Sequence, residues 1–137
     1  MTKIAIATHG NFAKGLKSTL ELFIPNEPIT YLSAYVEGEA SIDDQIHDFF
    51  DSLNGEAAVV FTDLFGGSVN QKVLVESSGK NTQIIAGFNL SLVLEVVLNK
   101  DQLTEERLDQ LIVAGREAMQ LVTPIDSTEI NEEEFFA

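Results

Sequence analysis

The stretch Ala57-Ala58-Val59-Val60-Phe61-Thr62, followed by Asp63-Leu64-Phe65-Gly66-Gly67-Ser68, decides the fold. Its first half is the most apolar run of strand length in the chain, which marks a central strand of a sheet covered on both faces. The glycine pair then turns the chain, and residues 68–77 continue as a helix. The same alternation extends in both directions. Upstream, Ser41 with Asp43 and Asp44 starts a helix whose apolar stripe is Ile42, Ile46, Phe49, Phe50 and Leu53. Residues 29–35 form a strand, and Pro25 and Pro28 stop the helix before it. That helix, residues 12–24, sets Phe12, Leu16, Leu20, Phe23 and Ile24 on one face, and residues 3–8 are the first strand. Downstream come a fourth strand at 82–88 and helices at 90–98 and 104–121. The last helix aligns Leu108, Leu111, Ile112 and Met119 with Gly115, and Pro124 is expected to end it.

Four strand–helix units imply right-handed crossovers and an α/β fold: a four-stranded parallel sheet, order 2-1-3-4, with helices on both faces. Residues 1–123 form one domain and residues 124–137 an acidic tail, which either frays or adds as an edge strand to this subunit or a neighbour.

Composition removes many functions. The 137 residues contain no cysteine, so disulfide frameworks, cysteine zinc sites and thiol nucleophiles are excluded. No apolar run reaches the roughly 18 residues of a membrane span. The N-terminus shows no basic leader or cleavage site, so a cytoplasmic location is expected. The net charge is −14, and without the five acids of the last twelve residues it is still −9. A field of that sign repels nucleic acid and anionic lipid. It either keeps the chain soluble or favours a locally basic partner.

In an open parallel sheet, chemistry sits beyond the carboxyl ends of the strands, where strand order reverses. That rule selects residues 8–11, 35–39, 63–70 and 87–91. His9 follows the first strand, with Gly10 permitting close backbone approach. Asp63 ends the third strand and, in order 2-1-3-4, projects into the same crevice. A carboxylate bonded to one imidazole nitrogen leaves the other as a nucleophile. Gly66, Gly67 and Ser68 lead into a helix start whose amides suit a phosphoryl group. Each residue also has a plain structural role: a loop histidine, a turn carboxylate, a tight turn capped by serine. His47 lies mid-helix and reads as a solvated surface residue. No nucleotide-binding glycine motif occurs, and two distant histidines with one nearby carboxylate make no metal site, so neither cofactor nor metal is expected. Ser68 lacks the G-x-S-x-G elbow of a hydrolase nucleophile.

These residues resemble the IIA components of the mannose/fructose/sorbose class of the bacterial sugar phosphotransferase system. The likeness runs from residue 3 to about 121. Its motifs are Thr8-His9-Gly10, Gly38-Glu39, Asp63-Leu64-Phe65-Gly66-Gly67-Ser68 and Ala86-Gly87-Phe88-Asn89-Leu90, with Leu94-Glu95 downstream. The resemblance implies that His9 accepts phosphate from the phosphocarrier HPr and passes it to a IIB component. It also implies that Asp63 orients the imidazole and that the hydroxyl and backbone of Ser68 help hold the phosphoryl group. By their own chemistry, apart from the resemblance, the amides around Gly10, Gly66 and Gly67 are expected to be phosphoryl-binding as well. A homodimer exchanging a C-terminal strand, here residues 125–130, is a further implication, as is membrane association only through IIB. Three positions depart from the family pattern. Val69 replaces a frequent proline, Gln71 stands where asparagine is frequent (Asn70 comes one residue early), and Glu37 replaces the proline of Pro-Gly-Glu. The histidine phosphotransfer domain of dihydroxyacetone-kinase systems is a related alternative, and a non-catalytic interaction module of flavodoxin-like fold is another. A flavin carrier lacks its hydroxyl-rich loop here, and a response-regulator receiver lacks its acidic cluster.

Overall fold

The computed structural model describes residues 1–124. Its strands are β1 (Lys3–His9), β2 (Ile29–Ala34), β3 (Ala58–Thr62) and β4 (Thr82–Ala86). The α-helices are α1 (Phe12–Phe23), α2 (Ile42–Asp51), α3 (Ser68–Glu76), α4 (Leu90–Leu98) and α5 (Glu105–Glu117), with a 3-10 turn at Lys100–Gln102. All strand pairs are parallel, in the order β2-β1-β3-β4. This is the topology read from the sequence. Thr8 pairs with Ser33, and Ala7 with Thr62, so the carboxyl ends of β1, β2 and β3 emerge at one level.

Side chains alternate across the sheet. On one face Ile4, Ile6, Val59 and Phe61 meet Ala13, Leu16 and Leu20 of α1, Val93 and Val96 of α4, and Leu108 and Leu111 of α5. On the other, Ala5, Ala7, Ala58 and Val60 meet Ile46, Phe49 and Phe50 of α2 and Val69 and Val73 of α3. Every residue of β3 is buried, as its apolar run demands. Sequestering a side chain such as Phe61 from water stabilises the fold by about 1.5–3 kcal/mol. Helix starts also follow the sequence. Ser41 Oγ accepts the Asp44 N–H at 3.2 Å, Asn89 Oδ1 that of Leu92 at 2.9 Å, and Thr104 Oγ1 that of Arg107 at 3.0 Å.

Several expectations about the ends of elements are corrected. Phe12 and Phe23, placed on the buried stripe of α1, are exposed by more than half. They are its first and last residues and overhang the sheet; Phe12 stacks on Phe88 instead, with ring centroids 5.6 Å apart. Helix α5 ends at Glu117, well before Pro124, which therefore does not terminate it. Beyond that point the chain has left the core, and Met119, Leu121 and Val122 are exposed. β2 stops at Ala34 and β4 at Ala86, because Tyr35 and Gly87 take positive φ. The expected exchanged strand at residues 125–130 lies outside the described residues.

Candidate functional site

The site is built at the switch point between β1 and β3. Thr8, fully buried, turns its hydroxyl to the Ala13 N–H at 2.8 Å, caps α1 and ties the end of β1 to the helix that follows. Gly10, at φ +59°, donates its N–H to Ala34 O at 2.8 Å. Between these two anchors His9 has little freedom.

Asp63, at the end of β3, holds His9 twice. Its Oδ2 accepts the backbone N–H of His9 at 2.9 Å, and its two oxygens lie 3.1 and 3.0 Å from Nδ1. An ionised carboxylate only accepts, so Nδ1 carries the proton and Nε2 keeps its lone pair. That nitrogen faces Ser68 Oγ at 3.3 Å. The sequence-derived residues are therefore brought together: His9 and Asp63 from two adjacent strands, Ser68 from the first residue of α3.

The glycine loop is fixed by α3. Gly66 adopts φ +76° and donates its N–H to Asn70 Oδ1 at 3.0 Å, while Asn70 Nδ2 donates to Thr62 Oγ1 at 2.9 Å. Gln71 Nε2 donates to Gly66 O at 2.7 Å. Asn70 and Gln71, where the chain departs from the family pattern, are thus the residues that lock the loop. Val69, another such position, is fully buried against β1 and β3 neighbours. A Cβ at Gly67 would be tight, 3.2 Å from Leu64 Cβ, so Leu64 would have to give by a few tenths of an ångström, and it would touch His9 Cε1 at an ordinary 3.5 Å. Gly10 and Gly66 have open space instead and serve through backbone conformation. The first amides of α3 have no partner within the helix and open beside the imidazole.

The segments that carry the site bear exposed apolar side chains, Phe12, Tyr35, Leu64 and Phe65, and the Tyr35 ring centroid lies 5.7 Å from that of His9. Lys14 and Glu39 form an ion pair between α1 and the loop after β2. Among the described residues no three His, Asp or Glu side chains converge as a metal site. A cavity of about 430 Å³ lined by Lys17, Glu21, Pro25, Pro28 and Tyr31 lies at the other end of β2, away from His9. Sequence reasoning missed Tyr35, whose hydroxyl is 2.8 Å from Ser68 Oγ, and the loop-locking role of Asn70. Tyr35 lay in a loop singled out by the switch-point rule, but nothing in its residue type marked a role.

Fold and site together define a doubly wound α/β domain that presents one oriented, solvent-open imidazole where its strand order reverses. The family model described as the phosphotransferase system (PTS) fructose IIA component matches residues 3–112. The chain belongs to that family, and with it to the sugar phosphotransferase system, whose IIA components have a phosphoryl-carrying role. Solved structures agree. A phosphoenolpyruvate-dependent sugar PTS permease from Klebsiella pneumoniae subsp. pneumoniae is 28% identical, with TM-score 0.78 over 88% of this chain and 90% of that one. PTS component EIIA from Streptococcus agalactiae is 27% identical, with TM-score 0.68 over 95% and 100%. The mannose/sorbose specific IIA subunit from Enterococcus faecalis, at 16% identity and TM-score 0.77 over 91% and 97%, shares the fold. No curated protein matches the sequence.

Proposed function

We propose that the protein carries a phosphoryl group on His9 Nε2, taking it from phospho-HPr and giving it to a IIB component. The observation that carries this reading is the double grip of Asp63, which fixes the ring through Nδ1 and the backbone and leaves Nε2 outward. In the transfer, the Nε2 lone pair attacks phosphorus and the donor's N–P bond breaks, its electron pair returning to the donor imidazole. His9 becomes a phosphorylated imidazolium whose Nδ1 proton stays hydrogen-bonded to the Asp63 carboxylate. Transfer onward is the reverse step with a new acceptor. The transition state is loose, so catalysis is positioning and charge stabilisation. Ser68 Oγ and the unpaired first amides of α3 supply the donors for the phosphoryl oxygens, since the N–H groups of Gly10, Gly66 and Gly67 are already taken by Ala34 O, Asn70 Oδ1 and Leu64 O. The exposed apolar rim of Phe12, Leu64 and Phe65 suits a protein surface better than a sugar, and the acidic charge of the chain favours partners that are basic near their own site.

Incubation with phosphoenolpyruvate, enzyme I and HPr is expected to add one acid-labile, base-stable phosphate per chain, and none to His9→Ala. Label that persists in His9→Ala and vanishes in His47→Ala would overturn the assignment.

A further inference from the structure

Tyr35 is held in a conformation its residue type avoids. It follows β2 at φ +63°, a left-handed backbone that for a bulky residue costs on the order of 1 kcal/mol or more. Its side chain is largely exposed, at 68% for the residue, so burial does not explain the strain. What the conformation achieves is contact: the ring centroid lies 5.7 Å from that of His9, and the hydroxyl reaches Ser68 Oγ. The loop bearing Tyr35 is pinned from α2. Gln45 Oε1 accepts the Ser33 N–H at 3.0 Å, and its Nε2 donates to Ser33 O at 2.9 Å and Ala40 O at 2.7 Å. One amide side chain thereby fixes both ends of the segment, and the Lys14–Glu39 pair ties it to α1.

The protons in this chain of contacts have one arrangement. Asp63 accepts, so Nδ1 of the neutral ring donates and Nε2 accepts. Ser68 has one hydroxyl proton and directs it to Nε2, which leaves its oxygen to accept from the Tyr35 O–H. Resting on the carrier reading, we propose that Tyr35 is a positioning residue for phosphotransfer. Its hydroxyl keeps Ser68 a donor, first toward the Nε2 lone pair and then, once phosphorus occupies that nitrogen, toward a phosphoryl oxygen. The Tyr35-to-Ser68 bond keeps the same direction in both states, so only the Ser68 proton has to swing.

The test uses Tyr35→Phe, which keeps the ring beside His9 and removes only the hydroxyl, with Ser68→Ala and the double variant. Nitrogen NMR of the unphosphorylated protein reads the hydrogen bond at Nε2 directly. Tyr35→Phe is expected to move that signal toward its position in Ser68→Ala, and the double variant to match Ser68→Ala. Transfer from phospho-HPr is expected to slow about two- to tenfold in Tyr35→Phe, the range for a lost neutral hydrogen bond, with no added loss when Ser68 is already alanine. A wild-type rate and nitrogen signal in Tyr35→Phe, or the same slowing with Ser68 absent, would overturn the proposal. A wild-type chain that takes no label would overturn the carrier reading instead, while the nitrogen signals still report whether Tyr35 acts through Ser68.

Discussion

His9 and His47 each have a carboxylate at hydrogen-bonding distance: Asp63 Oδ2 lies 3.0 Å from His9 Nδ1, and Asp51 Oδ2 lies 3.1 Å from His47 Nε2. The environments differ. The Asp63 side chain is 11% exposed and also accepts a backbone N–H, so it cannot move without breaking the end of β1. The Asp51 side chain is 68% exposed and sits one helical turn from His47, a pairing worth a few tenths of a kcal/mol. The second nitrogen differs too. At His47 it faces another acid, Glu76, at 3.7 Å, whereas at His9 it faces a serine hydroxyl and solvent. A histidine beside a carboxylate is therefore not a site in itself. A site needs the acid to be immobile and the far nitrogen to be left for chemistry.

The largest effect that tests this contrast is expected from Asp63→Asn. Losing a charge-assisted bond of about 1.5–3 kcal/mol corresponds to roughly ten- to a hundredfold in rate. Asp51→Asn is expected to leave the rate of transfer to IIB unchanged. Rapid-quench measurement of both decides it, and equal rates in the two variants would erase the distinction. A smaller effect separates two glycines of like conformation. Gly66, at φ +76°, and Gly55, at φ +84°, both face open space where a Cβ would project, so alanine at either costs conformation alone, about 1–2 kcal/mol. Urea unfolding is expected to show similar losses for the two. Only Gly66→Ala should also slow transfer, because only Gly66 belongs to the loop beside the imidazole.

The smallest effect contrasts the two tyrosines of β2 and its exit. Tyr31 holds its proton above the usual 10.0, first because it is partly buried and second because Glu21 lies near. The folded chain thus binds this proton more tightly than the unfolded chain. Its contribution to stability is complete below about pH 10 and declines as pH rises past that value. Ultraviolet titration of the Tyr35→Phe variant isolates Tyr31. Glu21→Gln should bring its midpoint only part of the way back, since burial is the larger cause.

Much of the architecture was legible because it rests on periodicity. The run 57–62 could only be a central strand, and order 2-1-3-4 set His9 and Asp63 side by side at a distance of 54 residues in sequence. Helix ends were less legible. Period alone assigned Phe12, Phe23 and Met119 to buried stripes, but a stripe is buried only as far as the sheet beneath it reaches. Tyr35 was illegible for a different reason. Its position depends on a left-handed backbone at a non-glycine residue and on a clamp from Gln45, and neither leaves a pattern in the order of residues. Asn70 stood one place early against the family motif; only the folded loop shows that its amide bridges Gly66 and Thr62.

The Gln45 clamp has a consequence for how these molecules can meet. β2 borders the sheet, and a bare border invites another chain's strand. Gln45 occupies both backbone groups of Ser33, and the outward-facing residues of β2 are Ser33, Tyr31 and Ile29. The Ile29 N–H is in turn taken by Glu27 O at 3.0 Å. Only the middle of that border, at Tyr31, keeps its full pair of groups, which is too little to seat an incoming strand. β4, bonded to β3 alone among the described residues, is the other border. Among the described residues the two borders therefore differ: a side-chain clamp from Gln45 occupies the border of β2, and no such clamp lies on β4.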